Sequence, residues 1–159
     1  MIIAQYGLEG ILMKELVLTS PAFQNNHKIP EKYTCNGPNP PLIIEGIPEA
    51  AKSLALILDD PDAPGGTFDH WIVWNIPSLQ NSIAENTSPG VEGLNSDHEH
   101  GYIGPCPPQG KAHRYIFRVY AVDKMLTLSS KSGKRELQKA LKDHVLTEGK
   151  LIGLFERFR

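Results

Sequence analysis

The sequence predicts a mostly β domain, a sandwich rather than a parallel α/β fold. Three observations carry this. Thirteen prolines and fourteen glycines cut the 159 residues into short pieces, and the pieces between them read as strands. One of them, "SLALILDD", is an unbroken apolar run of strand length, as expected of a strand covered on both faces. Only one late segment carries a helical period.

The elements follow in order. "ELVLTS" alternates, and "PPLIIEGIP" is a short run bounded by prolines. "HWIVWNIP" is rich in β-branched and aromatic residues. "HRYIFRVYAVD" alternates over a long stretch, with Tyr115, Phe117, Val119 and Ala121 on one face. His113 shares that face; Ile116, Arg118, Tyr120 and Val122 take the other. In "SSKSGKRELQKALKDHVLTEG" Leu137, Ala140, Leu141, His144 and Val145 form one helical stripe, with Gly149 as its stop. "KLIGLFERFR" reads as a last strand. "EHGYIGPCPPQGKAHR" is irregular, because its prolines and glycines forbid a ladder.

A chain of this length is most simply one domain, 1–159, able to bury roughly two-thirds of its unfolded surface. Residues 1–12 read as a loose or misassigned extension, or equally as an ordinary first strand, with no signal-peptide pattern. No run approaches a membrane span. Eighteen acidic residues against sixteen basic ones give a net charge of −2 and no reason to expect a nucleic-acid or anionic-membrane surface. A cytoplasmic protein is expected. Cys35 and Cys106 make neither a disulfide framework nor a zinc spacing. Two reduced thiols and one bridge both stay open.

Three stretches carry chemistry. "DDPDAP" closes the apolar run in a proline-stiffened turn that fixes Asp60 and Asp62, either as carboxylates at a pocket mouth or as caps on nearby backbone N–H groups. The turn also allows a cis Ala63–Pro64 bond. In "DHWIVWNIP", His70 stands at the edge of a buried strand, where its charge depends on what converges on it. In "GYIGPCPPQGKAHRY", Gly104 allows close approach of a ligand to the backbone, Pro107 and Pro108 give stiff apolar walls, and His113 and Tyr115 supply a ring N–H and a phenol O–H. Such a set suits a small anion with a polar head. "DHEH" offers His98, Glu99 and His100 to a cation, but its hydrophilic setting favours a solvated turn. No metal or cofactor is expected.

Together the motifs DPDAP, HWIVWNIP and GPCPP-G-HRY resemble the phosphatidylethanolamine-binding protein family, also called Raf kinase inhibitor-like proteins, in its bacterial and archaeal branch. The likeness runs in order from about Leu16 to Arg157. It implies a two-sheet antiparallel Greek-key sandwich with one or two peripheral helices. It also implies a ligand cavity lined by Asp60, Asp62, His70, Gly104, Cys106, Pro107, Pro108, His113 and Tyr115. Asn36 stands where the family usually has Asp, and "PPLIIEG" lacks the usual neighbouring serine and tryptophan. The long C-terminal helix of animal members is also absent.

The function expected is a non-enzymatic binding protein for a small phosphorylated or anionic ligand. Regulation or inhibition of a kinase or protease partner, and a homodimer, are implied by the resemblance. The alternative is a thiol-dependent hydrolase using Cys106 and His113.

Overall fold

The computed structural model describes residues 5–6, 12–13 and 15–158. The expectation for residues 1–12 falls largely outside them; within that segment β1 (Gln5–Tyr6) pairs antiparallel with β2 (Leu12–Met13). The remaining strands are β3 (Val17–Thr19), β4 (His27–Lys28), β5 (Leu42–Glu45), β6 (Ser53–Asp60), β7 (Phe68–Pro77), β8 (Ser82–Ile83), β9 (Val91–Glu92), β10 (His113–Val122) and β11 (Val145–Phe155). One α-helix, α1 (Lys134–Leu141), lies between the last two.

A six-stranded sheet runs β4-β11-β10-β6-β7-β9, and a three-stranded sheet runs β3-β5-β8. The large sheet is mixed rather than purely antiparallel, because β4 joins β11 in parallel. Its two faces are covered differently. Leu56 and Leu58 of β6, Trp71 and Val73 of β7, and Phe117 and Val119 of β10 pack against Leu18, Leu42 and Ile83 of the small sheet. On the other face Ala55, Ile57, Ile72 and Trp74 meet Leu137 and Leu141 of α1. Every residue of β6 is therefore buried, as an unbroken apolar strand requires.

The helix is shorter than the sequence period predicts. It begins at Gly133, whose N–H donates to Glu136 Oε1 at 2.7 Å, and it ends because Asp143 turns out at φ 67°. Val145 and Gly149 belong to β11, not to a helix and its stop. Gly149 is needed there because a Cβ would lie 2.5 Å from the Leu16 carbonyl oxygen. The Ala63–Pro64 bond is trans, like every described peptide bond.

Candidate functional site

At one end of β6, β7 and β10 lies a cavity of about 330 Å³. Its walls include Asp60, Phe68, His70, His113 and Tyr115 from the strands, Ala63 and Pro64 from the turn, and Gly104, Cys106, Pro107 and Pro108 from the proline-rich loop.

A β-bulge aims His70 into this cavity. Leu58 pairs with Trp71 and Asp59 with Asp69, so His70 is the extra residue on β7. Trp71 then shares a core with Tyr115, and the His70 ring also meets Tyr115, edge-on at 5.4 Å. Strict alternation would have put His70 with Ile72 on the opposite face. Phe68 lies against the His70 ring at 4.8 Å. His70 Nδ1 donates to the Ile103 carbonyl at 2.7 Å. Burial pushes the imidazole below its ordinary value, and the Ile103 contact and the Asp60 carboxylate only partly oppose this.

The second imidazole is built around an acid. His113 Nδ1 donates to Asp60 Oδ2 at 2.7 Å, both groups buried. Asp60 Oδ1 accepts the Asp62 N–H at 2.8 Å, an Asx turn. Both Asp60 oxygens are thus engaged by the protein. Because a carbonyl and a carboxylate hold the two Nδ1 atoms, each neutral ring keeps its lone pair at Nε2. Neither Nε2 has a hydrogen-bond partner among the described residues. Protonation turns each Nε2 into a donor.

Between the rings stands Tyr115, fully buried, its Oη without a hydrogen-bond partner. Burial and the Asp60 charge push its phenol far above the usual range, so it is an O–H donor at any ordinary pH. A buried hydroxyl left unpaired is costly unless something occupies the cavity.

Asp62 does not line the cavity. It accepts from Arg114 Nε at 3.0 Å, Nη2 at 2.8 Å and the backbone N–H at 2.9 Å. The Arg114 side chain and N–H hold its carboxyl down, to about 2. Gly104 lines the cavity and is also required by its packing against the Tyr33–Cys35 segment. A Cβ there would lie 2.7 Å from Cys35 N, Thr34 C and Tyr33 O, where the loop runs against Cys35 (Cys35 N–H to Pro105 O, 2.9 Å).

A model of the phosphatidylethanolamine-binding protein family matches residues 19–156. The chain belongs to that family. An UPF0098 protein of Pyrococcus abyssi is 46% identical over 155 residues, which cover 91% of this chain and 87% of that protein. An UPF0098 protein of Methanothermobacter thermautotrophicus is 46% identical, covering 88% and 98%. Among solved structures, a putative phosphatidylethanolamine-binding protein homolog from Chlamydia trachomatis, CT736, superposes with a TM-score of 0.86 at 39% identity, covering 90% of this chain and 98% of that one. YbcL of E. coli, a member of the mammalian family by its description, gives 0.83 at 27%, covering 90% and 99%.

In this family member Cys106 is bonded to Cys35, 71 residues away. That closes the question of two thiols or one bridge. In this disulfide-bonded form Cys106 has no free thiol to act as nucleophile, and His113 Nδ1 is engaged by Asp60, so nothing here supports the thiol hydrolase. The DHEH stretch is a turn, with His98 at φ 59° and His100 Nδ1 on the Glu92 carbonyl. No group of three metal-binding side chains comes together among the described residues. No helix among them is long and apolar enough to cross a membrane.

Sequence reasoning missed Phe68, Asp97 and Arg114. Phe68 sits two residues before His70, a spacing that could have flagged it. Arg114 follows His113 directly, yet nothing local pairs it with Asp62, 52 residues away. Asp97 reaches the cavity wall through a loop pinned where Asp69 N–H donates to Ser96 Oγ.

Proposed function

We propose that this protein binds, without turnover, a small phosphate-bearing anion in the cavity between His70 and His113. The supporting observation is the unspent polar capacity there: two imidazole Nε2 atoms and the buried Tyr115 hydroxyl, all without protein partners. Asp60 and Asp97 put two carboxyl groups at the proposed site, so an anion is favoured when the imidazoles carry protons. The apolar walls of Phe68, Pro64, Pro107 and Pro108 exclude water around the head group without offering a nucleophile. Membership of a phosphatidylethanolamine-binding family supports a binding protein. Action on a kinase or protease partner, a homodimer and a cytoplasmic location form part of this reading, on the strength of the resemblance. Light scattering checks the dimer.

The test is calorimetric titration with phosphate, phosphoethanolamine and sulfate at about pH 6 and about pH 8. Sulfate keeps its charge across this range. Saturable binding is expected, stronger at the lower pH, and weakened about a hundredfold in His70→Ala. Equal affinity at both pH values, or undiminished binding in the variant, contradicts the proposal.

A further inference from the structure

We propose that the Cys35–Cys106 disulfide is a redox site, opened by a dithiol reductant, whose state sets the affinity of the cavity beside it. The proposal rests on the anion-binding reading above.

The bond stands between two cavities. Cys106 is exposed and lines the first; Cys35 is half-buried and lines a second, of about 480 Å³, with Thr34, Phe155 and Arg157. A reductant therefore reaches the bond from solvent. Arg157 Nη1 donates to Cys106 Sγ at 3.9 Å. A guanidinium beside a sulfur favours its thiolate, which makes Cys106 the better leaving group.

The exchange follows from that asymmetry. A reductant thiolate attacks Cys35 Sγ from the second cavity, the S–S bond breaks, and its electron pair stays on Cys106 beside Arg157. The second thiol of the reductant, deprotonated, then attacks the reductant sulfur of the mixed disulfide. Cys35 leaves as thiolate and the reductant closes its own disulfide. Two electrons pass to the protein, and the two protons of the dithiol are left for the two cysteines.

The consequence lies in how the wall is held. Ile103 N–H donates to His70 O at 3.0 Å, Gly104 N–H to Cys35 O at 3.2 Å, and Pro105 O accepts from Cys35 N–H. The next anchor is Gly110 N–H on Arg157 O, beside the Gln109–Arg157 bridge. Between them Cys106, Pro107 and Pro108 make no backbone hydrogen bond among the described residues, and the prolines have no N–H to give. Apart from the Arg157 contact on Cys106 Sγ and the packing of buried Pro107, the disulfide is what ties these three residues down. It also retains Cys35 at φ 52°, a left-handed conformation that a residue with a Cβ leaves readily. Opening the bond frees one wall of the cavity, and a ligand must then order it again.

The test compares oxidised protein, protein treated with dithiothreitol, and Cys35→Ser/Cys106→Ser. Thiols are counted by alkylation under native conditions, sulfate affinity is measured at about pH 6, and amide exchange is followed at Gly104 and Gly110. The expected result is two thiols after treatment, affinity about tenfold weaker in the reduced and double-serine proteins, and recovery on reoxidation. A bond that resists dithiothreitol in the folded protein overturns the proposal. So does equal sulfate affinity in oxidised and reduced forms, which leaves the anion site standing. If neither form binds sulfate, the anion reading fails and exchange decides: protection lost at Gly104 on reduction sustains a redox-set loop, and unchanged protection overturns it.

Discussion

Asp59 and Asp60 are adjacent on β6, point to opposite faces of the large sheet, and sit in charge clusters of opposite character. On the helix side Asp59 meets Lys134 Nζ at 3.2 Å and Arg118 Nη1 at 3.6 Å, and Lys134 also pairs with Asp69 at 2.7 Å. Two acids face two cations, and the charges are matched within the protein. On the cavity side Asp60 is spent on His113 and a backbone N–H and Asp97 reaches the wall, while two Nε2 atoms and a phenol stay unmatched. The first cluster fastens α1 to the sheet. The second leaves capacity for something outside the chain. Pairing of charges within the chain, rather than the number of polar groups, separates the two clusters.

The largest expected effect breaks the helix-side cluster. Lys134→Met leaves Asp59 and Asp69 short of their shared cation in a mostly buried setting, and should lower unfolding free energy by about 3 kcal/mol in urea titrations. Sulfate affinity should stay within about twofold, because the cluster lies across the sheet from the cavity. Tyr115→Phe should do the reverse. It removes an unpaired hydroxyl, so the empty protein keeps or gains stability, while affinity falls about tenfold in the same calorimetric assay.

A pH series sharpens the contrast. His70 is held neutral by burial, so its folded value lies below the unfolded value of about 6.5. The unfolded chain binds that proton first. The contribution of His70 to stability is therefore fully present above about pH 6.5 and is lost as pH falls from there through the lower folded value. Bound sulfate favours the imidazolium and offsets that loss. The rise in Tm at saturating sulfate should be about 3 °C larger at about pH 5.5 than at about pH 8, read by scanning calorimetry. The smallest effect belongs to Asp62→Asn. Its carboxylate is turned to Arg114 at the surface, and sulfate affinity should change by less than about twofold.

Much of this was legible in the sequence, for identifiable reasons. Long strands announced themselves: the apolar run of β6 is buried throughout, and the His113, Tyr115, Phe117, Val119 and Ala121 face of β10 is buried, although Ile116 and Val122 on its other face are buried as well. The cavity residues were legible as motifs because each loop carries proline or glycine at its bend. What escaped depends on contacts between distant segments. The bulge that turns His70 toward Tyr115 has no local mark, since it arises from how β7 registers on β6. Arg114 drew Asp62 out of the cavity, a pairing set by adjacent strand ends. The apolar stripe of α1 ran on into β11 because Val145 fits either period, and only Asp143 at φ 67° separates them. The parallel partner β4, two residues long, carries too little pattern to be read.

The most direct measurement of the central claim is a proton count. Sulfate is titrated into the oxidised protein near pH 7 in two buffers of different ionisation enthalpy, and the difference in apparent heat gives the protons taken up. Uptake approaching one proton per sulfate is the expected result, because His70, held neutral by burial, becomes a donor at Nε2 only when protonated. Saturable binding with no proton uptake would contradict it, since His70 would then take no part as a charged donor.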